Sequence, residues 1–203
     1  PSWTRSEVPV PARLGILGGT FDPIHNGHVL LAQAVSERLP LDRVLFVPAA
    51  DPPHKGDQVA SAAHRLQMVR LAIDGLDGFE VSCVEIDREG PSYTVDTLRQ
   101  LSARHEDNDL FLIIGADNIA DLSSWYDPEG VLELATVVSG TRAEAAGTGS
   151  DRFAHRIQRL PTPAYDISST DIRQRLQLVL PIRYLVPEAV ERYVAEHGLY
   201  SSL

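Results

Sequence analysis

Two histidines stand three residues apart in "GGTFDPIHNGH" (residues 18–28), between a short apolar run and the start of a helix-like pattern. Gly18 and Gly19 let the backbone turn sharply and approach a ligand closely. Pro23 stiffens the turn, and Asn26 is the expected helix cap, so that Gly27 and His28 would open the helix. The first turn of a helix offers unpaired amides and about half a positive charge. His25 just before it and His28 within it can face one anion, so the group reads as a phosphate site. The bland alternative is a tight turn whose histidines are merely packed. Neither the dinucleotide fingerprint G-x-G-x-x-G nor a Walker loop occurs.

A second anion site is legible in "ISSTDIRQRL" (167–176). Ser168 and Asp171 fit the S-x-x-D capping pattern, which starts another helix decorated with Ser169, Thr170 and Arg173. Hydroxyls and a guanidinium suit a triphosphate tail. Taken alone, the segment reads first as a well-capped helix with an exposed arginine. In "PAADPPHKG" (48–56), three prolines stiffen a loop that projects His54 and Lys55, which is either a solvated tip or a phosphate contact. In "GADNIADLSSWYDPEGVLELA" (115–135), Asp117 after Gly115 either accepts from ribose hydroxyls or caps a helix. Trp125 there is either a lid on the core or a face on which a planar ring stacks. In "DREGPSYTVDTL" (87–98), Gly90-Pro91 makes a turn, and Thr94 or Asp96 is placed to cap the helical stretch after it.

The elements that must position these residues alternate. Five apolar runs read as buried strands: "LGIL" (14–17), "VLFVPA" (44–49), "FEVSCVEI" (79–86), "LFLIIGA" (110–116) and "ATVVSG" (135–140), with "HRIQRLP" (155–161) a candidate sixth. Their spacing matches βαβ units, and unbroken apolarity marks parallel strands covered on both faces. Helical patterns fill the gaps and form a C-terminal segment ending in "PEAVERYVAEHG", with Pro187 in its first turn and Gly198 at its stop. The expected fold is α/β: an open, doubly wound, mainly parallel sheet with a C-terminal helical segment. Residues 13–203 are expected to form one domain, preceded by a loosely ordered arm, 1–12, and 141–152 is the best candidate for a flexible loop. Ligands of such sheets bind outside the carboxyl ends of the strands, which is where every motif above falls.

Composition narrows the classes. The chain has 203 residues, 43% of them hydrophobic, and a net charge of −10, which disfavours nucleic acid or an anionic membrane as partner. Cys83, the single cysteine, cannot form an internal disulfide, fits a reducing cytoplasm and reads as a buried strand thiol. No stretch reaches the roughly 20 apolar residues of a membrane span.

The first motif resembles the G-x-F-x-P-x-H-x-G-H signature of the nucleotidylyltransferase superfamily, met here by Gly19, Phe21, Pro23, His25, Gly27 and His28. "ISSTDIR" is similar to the second signature of that superfamily, and "GPSYTVDTL", the P-P-H-K loop and the ending "RYLVPEAVERYV" resemble its bacterial branch acting on nicotinate mononucleotide. The resemblance implies a Rossmann-like fold and adenylyl transfer from ATP to nicotinate mononucleotide, with Mg2+ carried by the ATP phosphates. It implies that His25, His28 and Arg173 act in catalysis. It further implies that Gly18, Gly19, Thr20, Phe21, His54, Lys55, Gly115, Asp117, Ser168, Ser169 and Thr170 hold ATP. The mononucleotide falls to Tyr93, Thr94, Trp125 and Tyr126, with the Trp125 ring stacked on the pyridine. The family's Arg-Pro-Gly turn after the fifth strand is not kept: Arg142 is followed by Ala143, which leaves its phosphate contact open. Transfer to phosphopantetheine, a preference for nicotinamide mononucleotide, and a non-catalytic nucleotide sensor are the competing readings. A homo-oligomer is compatible with all of them.

Overall fold

The computed structural model describes residues 11–51, 60–141, 152–163 and 165–201. Six parallel strands form one sheet: β1 (Arg13–Gly19), β2 (Arg43–Pro48), β3 (Phe79–Val81), β4 (Asp109–Ile114), β5 (Thr136–Thr141) and β6 (Gln158–Pro161). Their order is β3-β2-β1-β4-β5-β6, so the winding reverses between β1 and β4. That is the switch point at which doubly wound sheets open a crevice. The helices are α1 (Asn26–Arg38), α2 (Ala62–Ile73), α3 (Thr94–Arg104), α4 (Pro128–Leu134), α5 (Ser169–Gln177) and α6 (Glu188–Glu196).

Both faces of the sheet are dry, which explains the unbroken apolar runs. Leu17, Phe46, Ile113 and Val138 point to one side, where they join Val35, Met68, Ile172 and Val190 from the helices. Leu14, Ile16, Leu45 and Leu112 point to the other, against Val95, Leu98 and Val131. Each such side chain contributes roughly 1.5–3 kcal/mol by leaving water. Gly15 lies in the tight part of this packing: a Cβ there would sit 2.8 Å from Leu41 and 3.2 Å from Ile113.

Several expectations are corrected at their boundaries. The third strand is three residues long rather than eight. After Val81 the Ser82 hydroxyl accepts from the Val84 amide (3.4 Å) and the chain turns, which buries Val84 and Glu85. Cys83 therefore lies beyond the strand, only partly buried, with the Arg70 guanidinium 3.9 Å from its sulfur. Pro187 is the N-cap of α6 rather than a residue of its first turn. Gly198, at φ +58, follows the helix end in the left-handed conformation that terminates helices. Residues 1–10 of the expected arm, and 142–151 of the expected loop with Arg142, lie outside the described residues. Ala12 belongs to the fold, since its carbonyl accepts from the Asp109 amide. No helix among the described residues is long and apolar enough to cross a membrane.

Candidate active site

The loop from β1 to α1 is built around its histidines rather than around Asn26. The N-cap of α1 is His25, and His28 occupies the third helical position. The His25 amide donates to His28 Nδ1 at 3.2 Å, and the two rings stack with centroids 3.7 Å apart. With Nδ1 accepting, the His28 ring hydrogen lies on Nε2. Asn26 is drawn away from capping: its side chain donates to the Tyr184 carbonyl at 2.7 Å and its amide to the Leu185 carbonyl at 2.8 Å, which ties the start of α1 to the segment before α6. Gly27 has a steric duty, because a Cβ there would lie 3.0 Å from His25 Nδ1. Around Gly18 the space is open: a Cβ there would meet no atom within 4 Å, as a close ligand approach requires.

His25 is buried, and desolvation lowers its pKa from 6.5 to about 4. At neutral pH it is an uncharged imidazole, and its Nδ1 is buried without a hydrogen-bond partner. Phe21, at φ +52 and buried, packs edge-on to His28 at 5.0 Å. Its ring also lies beside Gly19, where a Cβ would come within 3.1 Å. The Asp22–Pro23 peptide bond is cis.

The second motif reaches the first by direct hydrogen bonds. Ser168 caps α5 as expected, accepting from the Asp171 amide at 3.0 Å. Ser169 Oγ donates to the Pro23 carbonyl (2.9 Å), and Arg173 Nη1 donates to the Asp22 carbonyl (2.7 Å). Thr170 Oγ1 accepts from Arg173 Nη2 at 3.3 Å. The amino ends of α1 and α5, His25, His28 and Arg173 thus converge on one turn. Ser168 and Ser169 already have structural partners there, so amides and the guanidinium are the groups best placed for an anion.

Two buried residues hold this turn: Arg65, which no sequence motif marks, and Asp22, a residue of the turn itself. Arg65, on α2 and 1% exposed, spreads its guanidinium over four carbonyls: Thr20 (2.8 Å), Ala49 (2.6 Å), Ala50 (3.1 Å) and Ala60 (2.9 Å). Burial pulls its pKa down, opposed by the charges of Asp22, Tyr200 and Glu85. Asp22, also 1% exposed, accepts at Oδ1 from the Ala60 amide (3.0 Å) and the Tyr200 hydroxyl (2.7 Å). Glu85, pushed above the ordinary carboxyl value by burial, accepts from Thr97 Oγ1 at 2.6 Å. Ser92 of the "GPSYT" segment accepts from the amides of Ala50 (3.0 Å) and Asp51 (3.4 Å). One signal was available in the sequence: Arg65 shares a helical face with Met68, Val69 and Ala72, and an arginine on an apolar face needs buried partners.

The other half of the crevice lies beyond β3 and β4. Tyr93 caps α3 without a side-chain bond, so neither Thr94 nor Asp96 is the cap. Asp96 instead pairs with Arg99 (2.9 Å), which also reaches Asp127 (2.6 Å). Asp127, in the left-handed region at φ +50, caps α4. The Tyr93 and Tyr126 rings stack at 4.5 Å, while Trp125 packs against the second core cluster. Gly115 starts a 3-10 turn, Ala116–Ile119, that carries Asp117. His54 and Lys55 fall outside the described residues. Among the described residues no cluster of three or more His, Cys, Asp or Glu side chains is placed to hold a metal ion.

A doubly wound sheet with two helix amino ends meeting beside β1 at its switch point is built to hold the phosphates of a nucleotide. Residues 16–175 match the family model described as cytidylyltransferase-like. The chain is 43% identical over 191 residues to a probable nicotinate-nucleotide adenylyltransferase of Bacillus pumilus, covering 94% of this chain and 99% of the relative. It is 48% identical over 197 residues to another of that description from Roseiflexus castenholzii, covering 93% and 98%. The fold matches that of Plasmodium falciparum nicotinic acid mononucleotide adenylyltransferase complexed with NaAD, with a TM-score of 0.79 at 20% identity over 93% of this chain and 97% of that one. The chain belongs to the cytidylyltransferase-like family and, within it, to the nicotinate-nucleotide adenylyltransferases.

Proposed function

We propose that the protein transfers the adenylyl group of ATP to nicotinate mononucleotide, giving nicotinic acid adenine dinucleotide and pyrophosphate in NAD biosynthesis. The observation that carries this reading is the direct joining of the two anion sites: Arg173 and Ser169 on α5 hydrogen-bond the Asp22 and Pro23 carbonyls beside His25. A triphosphate lying there meets a helix amino end on each side, a guanidinium and two imidazoles.

The nucleophile is the 5′-phosphate of the mononucleotide, already an anion at neutral pH, so no general base is needed. The new bond forms between that phosphate oxygen and the α-phosphorus of ATP, and the α–β bridging oxygen leaves with pyrophosphate. The barrier is the meeting of anions and the charge that builds on the leaving group. Such transfers are accelerated mainly by positioning and charge stabilisation. In this assignment His28, with its proton on Nε2, donates toward the transferring phosphoryl group, and neutral His25 holds ATP. Arg173 neutralises the departing pyrophosphate, aided by His54 and Lys55. Gly18, Gly19, Thr20 and Phe21 line the ATP, as do Gly115, Asp117, Ser168, Ser169 and Thr170. Tyr93, Thr94, Trp125 and Tyr126 line the mononucleotide. Mg2+ fits as an ion carried by the ATP phosphates, where it would offset their charge.

The test is to mix the protein with Mg-ATP and, separately, nicotinate mononucleotide, nicotinamide mononucleotide and phosphopantetheine, and to follow pyrophosphate. Fastest release with nicotinate mononucleotide is expected. Release only with phosphopantetheine, or ATP binding without release for any acceptor, overturns the assignment. The cytoplasm, a reducing compartment in keeping with the unpaired Cys83 thiol, is the proposed place of reaction.

A further inference from the structure

Tyr200 lies three residues beyond the C-cap of α6, yet its hydroxyl reaches the first glycine loop. It donates to Asp22 Oδ1 at 2.7 Å across 178 residues of sequence. Tyr200 takes a left-handed backbone conformation, φ +64, two residues after Gly198 at φ +58, and this tight reversal brings its ring inward. Phenol and carboxylate meet where water is excluded, Asp22 being 1% exposed.

Asp22 is also the neighbour of Arg173. Arg173 Nη1 donates to the Asp22 carbonyl at 2.7 Å and stands 3.7 Å from Asp22 Oδ2, an ion pair at a distance too long for a hydrogen bond. That Oδ2 is buried and has no hydrogen-bond partner. The carboxylate therefore has one oxygen fully occupied, by Tyr200 and the Ala60 amide, and one held just short of the guanidinium. A buried carboxylate with a spare oxygen would ordinarily close onto an arginine that near. Its rotation is fixed instead by the two donors on Oδ1.

We propose that Tyr200 is a positioning residue for the anion site: by holding the Asp22 carboxylate, it keeps the Arg173–Asp22 ion pair from tightening into a hydrogen-bonded one and leaves Arg173 available to the triphosphate. This rests on the adenylyl-transfer reading only in naming the anion as that of ATP. Burial, and then the hydrogen bond to Asp22, raise the Tyr200 pKa, so the phenol stays a donor at every working pH. Without the hydroxyl, Asp22 loses a donor, gains effective negative charge and competes with phosphate for Arg173.

Tyr200→Phe keeps the ring and removes only the donor. Calorimetric binding of Mg-ATP is expected to weaken about 5- to 10-fold, the scale of one ordinary net hydrogen bond, because the lost donor acts on ATP only through Asp22 and Arg173. In turnover, KM for ATP should rise by the same factor while KM for the acceptor changes less than about twofold. Leu199→Ala, which removes neighbouring core packing, should lower the melting temperature and leave ATP affinity within about twofold. In an Asp22→Asn background the effect of Tyr200→Phe on ATP affinity should vanish, because the carboxylate it restrains is gone. Unchanged ATP affinity in Tyr200→Phe overturns the proposal. So does a loss matched by Leu199→Ala, or one that persists with Asn at position 22. Because binding is read without an acceptor, failure here is distinct from failure of the assigned acceptor, which the pyrophosphate assay reports.

Discussion

Arg65 is the severest single test of how the site is held. Its guanidinium, 1% exposed, serves carbonyls at the end of the first glycine loop (Thr20), the end of β2 (Ala49, Ala50) and the entry to α2 (Ala60). Arg65→Ala strips four backbone acceptors of a donor, removes a buried countercharge of Asp22 and leaves a void. Breaking a buried charged network from one side costs about 3–5 kcal/mol. For a domain of this size each kcal/mol lowers the melting temperature by roughly 2–4 °C, so a fall of about 6–20 °C is expected. Arg65→Lys keeps the charge, but a point-like ammonium with three donors cannot span four carbonyls, so it should recover only about half of the loss. Thermal unfolding followed by circular dichroism reads both variants, and Mg-ATP titration reads the site. A melting temperature within about 2 °C of the parent for Arg65→Ala, or full recovery by lysine, would refute this role for the guanidinium.

The remaining predictions concern the crevice. His28→Ala should lower kcat by about 10²-fold, the usual scale for losing one transition-state donor, and a near-normal rate removes His28 from the transfer step. The depressed pKa of His25 makes the folded state bind fewer protons than the unfolded chain between pH 4 and 6.5, so its contribution holds above pH 6.5 and is lost on acidification. Stability should fall by about 2 kcal/mol more between pH 7 and 5 in the parent than in His25→Asn, measured by urea unfolding; parallel pH profiles would contradict that assignment. Using the difference between the two proteins cancels Glu85, whose raised pKa slopes the other way. Trp125→Ala should raise KM for the mononucleotide several-fold and spare KM for ATP, and an effect confined to ATP would move the indole to the other half of the site.

What the sequence disclosed, and what it hid, divides along physical lines. Buried parallel strands need continuous apolar runs, so five strands were visible, and β6 only as a candidate because Gln158 and Arg159 interrupt it. The Ser168 cap was readable because serine at that offset has one strong local use. Asn26 misled for the same reason: its local propensity is to cap, but the Tyr184 and Leu185 carbonyls, from the far end of the chain, claim it. Arg65, Asp22 and Tyr200 form no local pattern, since their partners come together only when the loops have folded. Ser92 read as part of a mononucleotide segment, whereas its hydroxyl also anchors Ala50.

That last contact limits how far this scaffold can be treated as interchangeable parts. The "GPSYT" segment grips Ala50 and Asp51 by their amides through Ser92, while Arg65 grips Ala49 and Ala50 by their carbonyls and Thr20 beyond them. A graft meant only to change the acceptor, replacing residues 90–98 with those of a relative, would also remove the amide-side anchor of the β2 exit and so disturb the phosphate half. Retaining Ser92, Arg65 and the Glu85–Thr97 pair as an invariant frame is the condition under which acceptor choice becomes separable from ATP binding.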